Sequence, residues 1–328
     1  MNTIQFPGLW GLKFNIDPVA FSIGSISIYW YGIIIATALM VSVLLTMKDS
    51  SRYGIEQDNV IDLILWAAPI SVVFARLYYV VFKWSDYRDN PREIINIRHG
   101  GIAIYGAVIG AVLVAYIFSR VKRINTLNLF DLAAPYLVLA QSIGRWGNFV
   151  NQEAFGTNTT LPWGMTSARI QSELAYLRDQ GMMVNPSIPV HPTFLYESLW
   201  NIGAFFILLW FRKRRKFEGE VFSMYMVVYG LGRFWIEGLR TDSLMLGNLR
   251  ISQVLALLFA IGFAVLIFVR RRRASETVDA EAVEIGKSEY GSVLNKLKEE
   301  EANMPNEGDT ASRNANNAAE EQKDRSDI

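Results

Sequence analysis

Leu129-Phe130-Asp131-Leu132-Ala133-Ala134-Pro135-Tyr136-Leu137-Val138-Leu139-Ala140-Gln141-Ser142-Ile143 is an apolar run, and Gly144-Arg145-Trp146-Gly147-Asn148-Phe149-Val150-Asn151-Gln152-Glu153 follows it without a break. The run reads as a membrane span. Arg145, Asn148, Asn151 and Glu153 then sit at its outer end or just inside it. An ionisable group at such a depth is costly and by default marks a functional site. Gly144 and Gly147 bracket the arginine, and their conformational freedom lets the backbone bend or approach a ligand closely. A guanidinium beside a loosened helix end, with side-chain amides around it, suits an anionic headgroup. The plain structural alternative is a helix terminus whose arginine snorkels to lipid phosphates.

The rest of the chain agrees with a membrane reading. Of its 328 residues 51% are hydrophobic and 13% aromatic, and the mean hydropathy is +0.19. That is too apolar for an ordinary soluble domain once the polar C-terminal stretch is set aside. A net charge of +1 supplies no global field to draw the chain to nucleic acid. With no cysteine, disulfides, thiolate-ligated metals and a cysteine nucleophile are all excluded. Two histidines, His99 and His191, are too few for a histidine-rich metal centre. The N-terminus lacks the basic, apolar and small-residue succession of a cleaved signal peptide.

Seven spans are expected, near residues 26–47, 60–82, 101–118, 129–143, 194–211, 221–236 and 251–269; a bilayer needs about 20 apolar residues per helix. Tyr29, Trp30 and Tyr31 open the first as an aromatic belt. Arg76 lies inside the second. Gly100, Gly101, Gly106 and Gly110 prepare the third for close helix packing. Residues 1–20 suit an interfacial lead-in. Residues 151–192 break the pattern with Pro, Gly and Asn; they read as a small polar head, with an amphipathic helix over Ser167–Gln180. The fold class is therefore an all-α integral membrane bundle of about seven helices. Residues 1–273 form the spanning domain, and 274–328 form a charged tail, disordered or partly helical. Basic residues beside span ends, Lys48, Arg52, Arg120–Arg123, Arg212–Lys216 and Arg270–Arg273, fall on one side. That side reads as cytoplasmic, with the N-terminus and the head outside. The connection bearing Lys83, Arg88, Arg92 and Arg98 breaks the rule.

Three further stretches carry chemistry. Gly100-Gly101-Ile102-Ala103-Ile104-Tyr105-Gly106 follows His99 and by itself reads as a packing face. His191-Pro192-Thr193-Phe194-Leu195-Tyr196-Glu197 opens the fifth span, with Pro192 in a helix's first turn and Glu197 inside the membrane edge. In Tyr229-Gly230-Leu231-Gly232-Arg233-Phe234-Trp235-Ile236-Glu237-Gly238-Leu239-Arg240, the residues Tyr229, Arg233, Glu237 and Arg240 share one helix face. A lone Arg–Glu pair would only fix packing. Two arginine-bearing span ends on the same side point to a shared anion site.

Gly144-Arg145-x-Gly147-Asn148-Phe149-x-Asn151-x-Glu153, His191-Pro192-x-x-Leu195-Tyr196-Glu197 and Tyr229-Gly230-x-x-Arg233-x-x-x-Glu237-x-x-Arg240 resemble the signatures of bacterial prolipoprotein diacylglyceryl transferases. So does Phe21-Ser22-Ile23-Gly24 leading to Trp30-Tyr31-Gly32. The likeness runs from about residue 7 to 270, in one order. It implies a seven-span enzyme of the bacterial plasma membrane that needs no cofactor, with the C-terminus in the cytoplasm. Its partners are the lipid bilayer, phosphatidylglycerol and a preprolipoprotein signal peptide with a lipobox cysteine. The diacylglyceryl group passes to the cysteine thiol, leaving a thioether and glycerol 1-phosphate. By position, Arg145 and Arg233 match the family's essential arginines. Tyr31, Asn148, Asn151, Glu153 and Tyr229 match positions around the lipid. Glu197 and Tyr105 fall in catalytic positions, Glu237 positions Arg233, and Glu237 and Arg240 form a structural ion pair. Many members carry His-Gly-Gly where this chain has Tyr105-Gly106-Ala107. His99 belongs to a different slot, so the proton acceptor stays open among Tyr105, Glu197 and Glu153.

These residue types suit that reaction. The thiolate is the attacking species, and negative charge builds on the departing phosphate. Arginine forks bind such a phosphate bidentately, and a low dielectric strengthens them. Two other function classes fit the same residues. One is an anion transporter built on broken helices and internal repeats. The other is a scaffold whose arginines only anchor headgroups, in which lysine would serve as well as arginine.

Overall fold

A computed structural model describes residues 3–96, 100–241, 245–246, 249–287 and 289–303. Arg98, His99 and residues 304–328 lie outside the described residues, so what the sequence suggests for them stays an expectation. The chain divides into two units, Met1–Val269 and Arg270–Ile328.

The first unit is built from long helices: α1 (Trp30–Ser50), α2 (Gln57–Phe82), α3 (Ile104–Val121), α4 (Thr126–Asn151), α6 (Thr193–Phe211), α7 (Glu220–Glu237) and the first part of α8 (Ile251–Lys287). A short helix, α5 (Ala168–Asp179), lies between α4 and α6. Among the described residues five helical stretches are long and apolar enough to cross a membrane: Trp30–Tyr53, Gln57–Phe82, Ile104–Val121, Thr193–Arg214 and Ile251–Glu276. The other two long helices, α4 and α7, are less apolar for a structural reason. They are the inner helices, and each buries polar groups: Asp131 and Ser142 on α4, and Glu220, Ser223 and Glu237 on α7. By contrast α1 buries only Ala38, Ser42 and Ser50. Much of its other apolar surface, including Leu39, Met40 and Leu44, is exposed, as a helix beside lipid allows.

Two expectations about glycine separate here. Gly106 and Gly110 do let α3 close on α2: a Cβ on Gly106 would lie 2.3 Å from the Phe74 carbonyl oxygen, and one on Gly110 would lie 2.8 Å from the Phe74 Cβ. Gly100 and Gly101, however, precede the helix, in left-handed backbone (φ 84° and 77°). Gly101 leaves room for Arg76, whose Nη1 would be 2.3 Å from an added Cβ. Arg76 is 6% exposed. It donates to the carbonyls of Glu93, Ile94, Asn96, Gly100 and Gly101 at 2.6–3.1 Å and so pins the α2–α3 connection. Because the obstacle at Gly106 is backbone, Gly106→Val must part the two helices. A loss of about 2 kcal/mol is expected, seen as a lower unfolding temperature in detergent.

The lead-in and the polar head form one small folded layer. Strand β1 (Thr3–Phe6) pairs with β2 (Leu12–Asn15), and β3 (Val19–Ile23) pairs with β4 (Ile26–Tyr29), which leads into α1. The first helix therefore begins at Trp30 rather than near residue 26. Gln5 bridges Thr166. Ile4 and Phe6 join Phe149, Met165, Ile170, Leu174 and Phe194 in one buried cluster, so residues 1–20 are more than a lead-in. Ser167 caps α5 by accepting from the Ile170 amide at 3.1 Å, close to the helix expected over 167–180. A third hairpin joins β5 (Met245–Leu246) to β6 (Leu249–Arg250).

At the C-terminal side α8 continues past the expected span end and the expected boundary at residue 273, and α9 spans Glu289–Asn303. Of the two forms foreseen for the tail, its described residues take the helical one. Lys, Glu, Leu and Ala are good helix formers even where nothing is buried.

Candidate active site

Three elements deliver the charged residues. Helix α4 runs unbroken through Gly144 and Gly147 to Asn151, with Gln152 in the left-handed region as its C-cap. The backbone does not bend at these glycines, and they serve a neighbouring helix instead of a ligand. A Cβ on Gly147 would lie 2.8 Å from the Tyr31 ring, and one on Gly144 would lie 3.4 Å from Ile35. Missing side chains let α1 lie flat on α4, which places Tyr31 against the turn that carries Arg145 and Asn148.

Beyond α4, Gln152 and Ala154 hold φ of 54° and 55°. Left-handed backbone is unfavourable for residues with a Cβ, by about 1–2 kcal/mol each. The strain folds Glu153 back: its Oε1 accepts from Asn148 Nδ2 at 3.0 Å and from Asn151 Nδ2 at 3.3 Å. Thr193 Oγ1 donates to the Ala154 carbonyl and holds the turn in place. Asn148 Oδ1 accepts from Arg145 Nη1 at 3.3 Å.

Glu197, in the second turn of α6, is the hub. Arg145 Nη2 lies 2.6 Å from its Oε2, Arg233 Nη1 lies 3.8 Å from its Oε1, and Arg240 Nη1 lies 3.3 Å from the same Oε1. Arg233 Nη2 also meets Glu237 Oε2 at 2.7 Å, one helical turn on. Glu237 thus holds Arg233, and Arg240, beyond the end of α7, reaches across to α6. Among the described residues Arg145, Arg233 and Arg240 gather around Glu197 and Glu237, and Arg145 and Arg233 remain partly open. Tyr229 lies one turn before Arg233 and stacks on Tyr225 with ring centroids 5.6 Å apart.

Among the described residues Tyr105 makes no hydrogen bond to this cluster. Its hydroxyl lies 3.4 Å from Ser252 Oγ on α8, and its ring is half exposed beside Tyr78. Polar residues that sequence reasoning passed over line the approach instead. Gln141, one turn before Arg145 on the same face, donates to Tyr225 Oη at 3.0 Å. Ser142 bonds Ser198 on α6, and Trp146 Nε1 donates to Ser198 Oγ at 3.2 Å. A polar residue at i−4 from an intramembrane arginine was the available signal. Among the described residues no group of three or more His, Asp or Glu is placed to hold a metal ion.

His191 stands just before α6. Trp163 Nε1 donates to Tyr196 Oη at 2.7 Å, and that hydroxyl lies 3.1 Å from His191 Nδ1. With its proton on Nε2 the neutral imidazole accepts from that hydroxyl at Nδ1, and with its proton on Nδ1 it donates to it. Burial pushes the His191 pKa below the ordinary 6.5. The unfolded chain therefore binds this proton more readily than the folded one, and stability rises with pH across the window. The contribution is present above about 6.5 and is lost as pH falls below it. His191→Gln keeps an acceptor for Tyr196 without titrating. Its unfolding temperature should change less between pH 7 and pH 5 than that of the parent, by about the His191 share alone.

The sequence has counterparts among known proteins. The family model described as Prolipoprotein diacylglyceryl transferase matches residues 18–269. A phosphatidylglycerol–prolipoprotein diacylglyceryl transferase of Listeria monocytogenes is 48% identical over 260 residues, covering 79% of this chain and 91% of that protein. Proteins of the same name from Clostridioides difficile and Limosilactobacillus reuteri are 47% and 44% identical, over 75% and 80% of this chain and 92% and 94% of their own lengths. With its arginine cluster lying inside the matched region, the chain belongs to the prolipoprotein diacylglyceryl transferase family.

Proposed function

We propose that this chain transfers the sn-1,2-diacylglyceryl group of phosphatidylglycerol to the lipobox cysteine thiol of a preprolipoprotein, the first step of bacterial lipoprotein maturation. A thioether forms and glycerol 1-phosphate leaves. One observation carries the reading: Arg145 of α4 and Arg233 of α7 converge on the same buried carboxylate, at 2.6 Å and 3.8 Å. Two guanidinium groups so close can span one lipid phosphate. Their side chains are 23% and 21% exposed, whereas Glu237 behind Arg233 is 2% exposed. The arginines therefore meet the ligand, and Glu237 fixes the aim of Arg233. Tyr31, Asn148, Asn151, Glu153 and Tyr229 organise the surrounding wall.

The surroundings support a lipid substrate. A groove of about 360 Å³ between α1, α4 and α6 is lined by Trp30, Ile34, Ile143, Trp146, Ser198 and Ile202. Trp146 and Ser198 of its lining are the sequence neighbours of Arg145 and Glu197. In this reading α4 and α7 cross the bilayer beside the five apolar helices. The N-terminus and the layer built from residues 1–20 and 151–192 lie outside, residues 1–273 form the transferase domain, and the tail is cytoplasmic. The bilayer is the bacterial plasma membrane.

The test is direct. Purified full-length chain, given labelled phosphatidylglycerol and a lipobox peptide, should label the peptide and release glycerol 1-phosphate, and a serine in place of the peptide's cysteine should stop both. Uptake of an anionic solute without any lipid transfer would overturn the reading.

A further inference from the structure

We propose that Glu197 is an internal stand-in for the lipid phosphate, and that it takes the proton of the substrate thiol once that phosphate displaces it from Arg145 and Arg233. The inference rests on the transferase reading above and adds to it the identity of the proton acceptor.

The starting point is the uneven exposure of the groups around Glu197. Its own side chain is 7% exposed, and those of Arg145, Arg233 and Arg240 are 23%, 21% and 10% exposed. An incoming anion thus reaches the first two arginines and not the third. A phosphodiester offers two non-bridging oxygens and one negative charge, as a carboxylate does. Exchange of Glu197 for phosphate on Arg145 and Arg233 therefore leaves the charge balance of the two forks unchanged. Arg233 is already half-prepared, because Glu237 holds its Nη2 at 2.7 Å while the contact to Glu197 is only 3.8 Å. Arg240, 3.3 Å from Oε1, keeps the displaced carboxylate within the site.

A carboxylate that gives up guanidinium neighbours binds a proton more readily. Glu197 becomes an acceptor only when lipid is bound, so no thiolate forms without its electrophile. The other candidates have partners of their own. Glu153 accepts from two asparagine amides, His191 Nδ1 is engaged by Tyr196, and Tyr105 faces Ser252.

The step balances. The S–H bond breaks, and its proton goes to a Glu197 oxygen. The sulfur pair forms the new bond to the glyceryl carbon. The bond from that carbon to the phosphate oxygen breaks, and its electron pair leaves on the phosphate. Glu197 then returns the proton to the departing phosphate monoester and goes back to the arginines.

The experiment compares full-length parent, Glu197→Gln and Glu197→Asp in detergent. It measures affinity for glycerol 1-phosphate, and transfer to a lipobox peptide carrying either cysteine or selenocysteine. A selenol ionises without help, so it bypasses the acceptor. Transfer by the parent to both peptides establishes the transferase reading independently. Glu197→Gln is then expected to bind glycerol 1-phosphate about threefold more tightly, since its internal competitor is gone. Its transfer to the thiol should fall about a hundredfold, with at least about tenfold of that recovered on the selenol. Should the glutamine variant not fold, Glu197→Asp carries the test: its shortened carboxylate should raise the selenol-to-thiol rate ratio about threefold. Equal losses on the two peptides, or weaker binding of glycerol 1-phosphate, would overturn the proposal while leaving the transferase reading intact.

Discussion

Arg145→Ala and Arg233→Ala should each lower diacylglyceryl transfer about a hundredfold or more, the loss expected when a preorganised donor to developing charge is removed. Each arginine supplies a fork to the phosphate that must leave, and the negative charge on that group grows as the carbon–oxygen bond lengthens. Removing one fork also strips a partner from Glu197, which is 7% exposed. The uncovered carboxylate then repels the lipid phosphate that the remaining arginine still attracts. The two losses are not independent, because both residues contact Glu197. A double variant should therefore fall short of the product of the single effects. Lysine is the sharper substitution. Arg145→Lys keeps the charge but offers a point donor where a planar fork held both Asn148 and Glu197, and about a tenfold loss is expected. A scaffold that merely anchors headgroups would tolerate that change. The measurement is the initial rate of label transfer from phosphatidylglycerol to a lipobox peptide. Transfer by Arg145→Ala at near-parent rates would remove the phosphate role from the cluster.

The parts of this arrangement that were readable in sequence are those set by local pattern. Helices α2, α3 and α6 begin and end within a few residues of their apolar runs, because an apolar stretch closed by basic residues has few other ways to satisfy its backbone in lipid. Arg145, Glu197, Arg233 and Glu237 were readable because a charge at the end of such a run demands an explanation. What the sequence hid depends on contacts far apart in the chain. Gly147 is small for the sake of Tyr31 on another helix. The buried side of β1 depends on its bridge to Thr166. Arg76 reads as a stray charge until its five carbonyl partners, 17 to 25 residues later, come into view. The reach of Arg240 to Glu197 was equally hidden. Spacing joins Glu237 to Arg233 and to Arg240 alike, and only the end of α7 at Glu237 frees Arg240 to turn toward α6.

The largest stability effect is expected far from this cluster, at Asp131. It is fully buried on α4. Its carboxylate accepts from the Gly219 amide at 2.9 Å, the Phe222 amide at 2.8 Å and Arg215 Nη1 at 3.1 Å. Gly219 is the N-cap residue of α7 and has no side chain to cap it. Asp131 supplies from a neighbouring helix what an N-cap residue ordinarily supplies itself, and its charge also suits the positive end of the helix dipole. It thereby locks the α6–α7 turn onto the base of α4, beside the partly buried Asp49–Arg212–Tyr136 group. Asp131→Ala leaves two amides without their acceptor and removes the charged partner of Arg215, which keeps Asn128 Oδ1 at 2.9 Å. Breaking such a pair costs about 3–5 kcal/mol. Asp131→Asn retains one good acceptor and should lose about half as much. Thermal unfolding in detergent, with the amount of protein in the membrane, reads the effect. Asp131 and Arg145 are separated by about 21 Å of continuous helix. Transfer per folded molecule should therefore change far less than the quantity of folded protein. An Asp131→Ala chain as stable as its parent would mean that α7 finds another cap, and that this turn does not hold the two inner helices in register.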